Sequence, residues 1–162
     1  MPVEILVILV LFVANGIFAM SEIAVVTARR VRLQQRAEGG DKRASAVLRL
    51  KDDSTNFLST VQVGITLVGL FAGAYSGATF TERLAARLTQ WPWLAPYAEV
   101  VALVIVVSVM TYFSLIIGEL VPKAIALRNP ERVASIVAAP VAGIARLATP
   151  LVRLLTGSTN LV

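Results

Sequence analysis

Glu119 and Glu22 are the residues best placed to do chemistry, because both are acidic and both stand in apolar surroundings. Glu119 lies in Ile117-Gly118-Glu119-Leu120-Val121-Pro122-Lys123, and Glu22 closes Asn15-Gly16-Ile17-Phe18-Ala19-Met20-Ser21-Glu22. Carboxylates within hydrocarbon are expensive, so those that persist face a bundle interior and handle ions, protons or substrates. Other oxygen groups accompany them: Ser21 beside Glu22, and Asn56, Ser59, Gln62 and Thr66 along a further apolar stretch. A dehydrated divalent ion takes about six oxygens, of which one or two carboxylates balance its charge. The chain has no histidine and no cysteine. That excludes a His/Cys metal centre and favours a hard ion, Mg2+ or Ca2+, over zinc or copper. The candidate metal ligands are therefore Glu119, Ser21, Gln62, Thr66 and Glu22. Asn15-Gly16 and Gly118 are further places where a helix can open and offer carbonyl oxygens.

Plainer roles compete with each of these. Glu119 can pair with Lys123, four residues on along a helix face. Glu22 can pair with Arg29 or Arg30, and the hydroxyls can bond to carbonyls of their own helix. No Walker lysine loop, Gly-rich dinucleotide turn, histidine base or nucleophile elbow occurs, so the chain reads as a non-enzyme with no organic cofactor.

The elements that must hold these residues are membrane spans. Of 162 residues 57% are hydrophobic and 15% charged, well below the roughly one quarter charged usual for soluble domains. Residues 3–18 and 100–117 each approach the roughly 20 apolar residues needed to cross a bilayer. The first has no basic start and runs on into Ser21-Glu22, so it reads as a retained span instead of a signal peptide. The expected fold is an all-α integral membrane domain with three transmembrane helices, at about 3–26, 55–78 and 98–120. A break or bend in the bundle is expected around Gly64 or Gly69, and Pro122 disrupts the end of the third helix.

Charge orients the spans. Residues 29–51 hold eight of the fifteen basic residues, and Lys123, Arg128 and Arg132 follow the third span. Across the membrane, Arg83 and Arg87 are balanced by Glu82 and Glu99. This is a positive-inside pattern, with the N-terminus outside and the C-terminus cytoplasmic. The formal charge of +5 thus belongs to loops and not to a nucleic-acid surface. Trp91-Pro92-Trp93 and Tyr97 mark the outer interface. Two short surface helices flank Gly39-Gly40, and Asp53 or Ser54 can cap the second span. Residues 131–155 read as an inner-surface belt helix and not a fourth crossing: Pro140 and Pro150 interrupt them, while Arg146 and Arg153 share a face. Residues 1–155 form the transmembrane domain, and 156–162 read as a linker to cytoplasmic domains absent from this chain.

Three pieces in this order resemble the transmembrane domain of the CorB/CorC and cyclin M family of magnesium transport proteins. They are residues 15–24 from Asn15-Gly16 to Ile23-Ala24, then Phe57-Leu58-Ser59-Thr60-Val61-Gln62-Val63-Gly64-Ile65-Thr66, then Gly118-Glu119-Leu120-Val121-Pro122-Lys123-Ala124 followed by Asn129-Pro130-Glu131. The resemblance implies a multi-pass cell-membrane protein of a bacterial or archaeal inner membrane, with three spans, an inner belt helix and a homodimer. It implies Mg2+ as the bound substrate ion in an inward-open cavity, exported in exchange for Na+, with Glu119 as the acidic ligand. A non-transporting metal sensor or scaffold that regulates attached cytoplasmic modules is the alternative. Family members continue into paired ATP-binding modules. Some relatives read Phe-Ser-Gly-Ser-Glu where this chain has Phe18-Ala19-Met20-Ser21-Glu22, and others have Gly-Asn where it has Gly64-Ile65.

Overall fold

Long apolar stretches fold into helices, which satisfy every backbone group internally and so suit a solvent that offers no hydrogen bonds. The structure is a computed structural model that describes residues 2–138, 140, 141 and 143, and all its regular elements are helical. Three helices are long and apolar enough to cross a membrane: α1 (Pro2–Thr27), α4 (Ser54–Leu88), and a broken third helix over Ala95–Arg128. The protein is thus an all-α, multi-pass membrane protein.

At about 1.5 Å per residue, α1 is about 39 Å long and α4 about 52 Å, so α4 overshoots a hydrocarbon core of about 30 Å. The sequence predicts an end to this span near residue 78, with 82–88 as a separate piece. No glycine or proline follows Gly77 before residue 89, and the helix runs through to Leu88. At that end the Arg83 guanidinium donates to the Glu4 carboxylate at 2.6 Å, which ties α1 to α4. Beyond it, the rings of Trp91 and Trp93 stack with centroids 6.3 Å apart and 6° between their planes.

The expected break lies in the third helix instead of at Gly64 or Gly69. α5 (Ala98–Leu115) passes into a π-helical segment (Ile116–Leu120) and then α6 (Val121–Arg128). Pro122 is the cause, since it has no N–H to continue the ladder. Just before it the helix widens, and the Val121 N–H reaches back five residues to the Ile116 carbonyl. Gly64 serves close packing: a Cβ there would come within 2.8 Å of the Phe18 ring. By contrast, a Cβ at Gly69, Gly73 or Gly77 would meet no described atom within 4 Å.

At the basic end, α2 (Arg30–Glu38) and α3 (Lys42–Asp52) form a hairpin. Gly40 adopts φ +89° in the turn, where a side chain would be strained. Asp41 caps α3 by accepting from the Arg43 and Ala44 N–H groups at 2.9 and 3.2 Å. The Ala44 bond first, and then one from the Arg36 guanidinium at 2.6 Å, hold its carboxyl below the usual aspartate range. Asp53 does take the N-cap position of α4, but its carboxylate accepts from the Asn56 side-chain amide at 2.9 and 3.0 Å and not from a backbone amide. Its backbone joins the two helices, the N–H donating to the Arg49 carbonyl at 3.2 Å to close α3 and the carbonyl accepting from the Phe57 N–H at 3.1 Å to open α4. Lys51 donates to the Val25 and Val26 carbonyls at 2.7 and 3.0 Å. It gives α1, which has no basic residue in its last turn, a cation for its negative end. Burial lowers the pKa of this ammonium.

One hydrophobic core joins the basic ends of the spans to the hairpin through Phe18, Val25, Leu33, Val47, Phe57, Val61 and Ala126. A smaller one, around Ile8, Phe12 and Ala72, holds the opposite half. Residues 130–138 begin a further helix, α7, whose Ala134, Val137 and Ala138 enter the first core. Glu131 docks its start: the carboxylate accepts from the Arg29 N–H at 3.4 Å and lies 3.7 Å from the Arg32 guanidinium. From residue 144 on, the expected belt helix, with Arg146 and Arg153, and the linker at 156–162 lie outside the described residues.

Candidate functional site

Glu119 sits inside the π segment, the irregular stretch of the third span. Single π turns within α-helices occur frequently at functional sites. α1 packs against this segment, against α4 and against α6, so the three stretches that carry the candidate ligands are neighbours.

The junction of α1 with the third span is an interlock of small residues. Gly16 leaves room for the Pro122 ring, since a Cβ there would lie 2.8 Å from Pro122 Cγ and 3.1 Å from the Ile117 carbonyl. Gly118 in turn leaves room for Asn15, whose Nδ2 would be 3.2 Å from a Cβ at 118. Across the interface the Asn15 Nδ2 donates to the Gly118 carbonyl at 3.1 Å. α1 itself stays helical through Asn15-Gly16, so the opening expected at this pair and at Gly118 occurs only at Gly118, as the π turn.

The individual candidates differ in state. The Glu119 carboxylate accepts from Lys123 Nζ at 2.7 Å, with the Glu119 side chain 40% exposed and that of Lys123 28%. Ser21 is fully buried and its hydroxyl donates to the Ile17 carbonyl at 2.5 Å, which leaves its lone pairs to accept or coordinate. Glu22 is half-buried. Among the described residues Glu22 makes no ion pair with Arg29 or Arg30, and the Arg30 guanidinium binds Asp52 at 2.7 Å instead. Gln62 and Thr66 are exposed on α4. Among the described residues no hydrogen bond or ion pair joins any two of these five, and no group of three acidic side chains gathers. Of the other oxygen-bearing residues of α4, Asn56 is taken up with Asp53.

Two hollows among the described residues lie away from the candidate ligands. A groove of about 750 Å³ runs between α4 and α5 near Phe80, Arg87, Ile105 and Met110. A smaller one of about 180 Å³ is lined by Phe12, Gly73, Ser76, Thr111 and Ser114. Neither includes a candidate ligand. The cross-span bond from Asn15 has almost no signature in the sequence. Its one trace is the proline four residues after Gly118, which removes a donor without naming a replacement.

The cyclin M transmembrane N-terminal domain family matches residues 6–162 of this chain. UPF0053 protein sll0260 of Synechocystis is 50% identical over 159 residues, covering 98% of this chain and 36% of that protein. UPF0053 protein YugS of Bacillus subtilis is 28% identical over 157 residues, covering 97% and 37%. A protein of Haemophilus influenzae named polyamine export protein is 29% identical over 133 residues, covering 80% and 30%. The chain spans about a third of the length of these curated relatives.

Proposed function

Because the chain belongs to the cyclin M transmembrane N-terminal domain family, we propose that it exports Mg2+, in exchange for Na+, through an oxygen-lined site within the membrane. Glu119 is the charged ligand, and Ser21, Gln62, Thr66 and Glu22 are the oxygens around it. The observation that carries this reading is the position of Glu119 in a π segment packed on α1. Its carboxylate already holds a cation, the Lys123 ammonium, at 2.7 Å. A metal ion arriving from the basic, cytoplasmic end takes over that role. A homodimer supplies the lipid-facing wall that three spans alone leave thin, and ATP-binding modules beyond residue 162 govern access.

A second reading makes the domain a metal sensor that regulates those modules without moving ions. The docking of α7 by Glu131 onto Arg29 and Arg32 favours it, since it joins the membrane core to whatever follows. Calorimetry on purified wild-type and Glu119→Ala protein tests the site. Removing one partner of such a charged contact costs about 2–5 kcal/mol, so Mg2+ affinity is expected to fall roughly 30-fold or more. Equal affinity in the two proteins overturns the site. Flux into proteoliposomes then separates exporter from sensor, and spermidine added as a competitor tests the cargo named for the Haemophilus relative.

A further inference from the structure

Pro122 has no N–H, so it serves neither the Gly118 carbonyl four residues back, its α-helical acceptor, nor the Ile117 carbonyl five back, its π-helical one. Gly118 is buried, so its carbonyl calls for a donor from the protein. Asn15 provides it, 103 residues away in sequence, through Nδ2 at 3.1 Å. Asn15 is 8% exposed, and its own Oδ1 is buried without a hydrogen-bond partner among the described residues. A side chain kept only to fill this space would be apolar, since leucine has the same branching at Cγ and leaves no buried oxygen unpaired. The amide is therefore present for the bond it donates.

We propose that Asn15 is a positioning residue for Glu119, fixing the π segment from α1 by supplying the hydrogen bond that Pro122 removes. The inference rests on the reading of Glu119 as a cation ligand and assigns the group that holds it in place. The bonded carbonyl belongs to the residue directly before Glu119, so its position sets the direction in which the carboxylate leaves the backbone. The contact is also confined: Gly118 admits the amide, and Gly16 lets the Pro122 ring close against α1. Loss of the donor frees the turn to drift, and Glu119 with it.

The test uses Asn15→Leu, alone and combined with Pro122→Ala, in lipid nanodiscs. Partners of metal ligands in the next layer out typically contribute about 10- to 100-fold in metal affinity. Asn15→Leu is accordingly expected to weaken Mg2+ binding at least about tenfold while the calorimetric number of sites stays that of the wild type. Simple loss of folded protein does the reverse, lowering the number of sites at unchanged affinity, and that result overturns the proposal. Hydrogen exchange gives an arm that does not depend on the ion. Amides of residues 118–124 are expected to exchange faster in Asn15→Leu and to recover in the double variant, where the Pro122→Ala change restores a backbone donor. Unchanged exchange in Asn15→Leu overturns the role of Asn15 even if Glu119 binds Mg2+. Wild-type protein that binds no Mg2+ overturns the functional reading instead.

Discussion

At the scale of single residues, Lys123 decides how readily Glu119 accepts another cation. Their ion pair is partly exposed, and such pairs are worth about 0–1 kcal/mol. Lys123→Met is therefore expected to tighten Mg2+ binding by roughly two- to fivefold in the same calorimetric titration. Weaker binding would mean that the ammonium orients the carboxylate and does not compete for it. This pair was legible in the sequence because charges four apart in an apolar run stand out. So was the Ser21 hydroxyl bonded to its own helix, one of the two readings open to it. The Asn15 bond was not legible. A proline gap shows that a donor is missing, but only packing tells which side chain, a hundred residues upstream, faces it. Gln62 and Thr66 show the converse limit: their depth along α4 could be counted, while their exposure could not.

At the scale of elements, three spans followed directly from apolar length, and the irregular end of the third from Pro122, whereas α4 runs unbroken through Gly64 and Gly69, where a break was also expected. Glycine permits a bend but does not force one, and Gly64 is consumed by the Phe18 ring. Proline removes a hydrogen bond outright, so the third helix yields at Pro122. The hairpin of α2 and α3 was expected around Gly39-Gly40, and its cap makes it sensitive to acid. The folded hairpin favours the ionised form of Asp41, whose carboxyl is held below its ordinary range. That stabilisation is complete above the unfolded pKa of about 4 and disappears as pH falls through the lower folded value. Amide exchange at residues 43–45 is expected to accelerate across that acid window. Asp41→Asn keeps an uncharged capping oxygen, so the same amides are expected to show a flatter dependence on pH. An unchanged acid response in that variant would place the titrating group elsewhere.

At the scale of the whole molecule, the homodimer proposed above needs an open face, and α4 offers one. Leu70 and Phe71 are 65% and 66% exposed, and a Cβ at Gly69, Gly73 or Gly77 would meet no described atom within 4 Å. Spacings of four between small residues suit close helix pairing in membranes. Gly73 lines the small groove beside Phe12, but Gly77 does not, and a Cβ at Gly77 would meet no described atom within 4 Å. Gly77→Ala is thus expected to keep or raise thermal stability, by up to about 1 kcal/mol, while weakening crosslinked dimers in native membranes. Dimers that persist would move the interface to another face. The stacked indoles at the other end of the third span carry a different consequence. Trp91 and Trp93 are the only tryptophans in the chain, so its indole emission comes from one spot. About twenty-two helical residues, roughly 33 Å, separate Tyr97 beside that spot from Glu119. A change in indole colour or brightness on adding an ion at Glu119 is thus a signal carried along the length of a helix, reported without any attached dye.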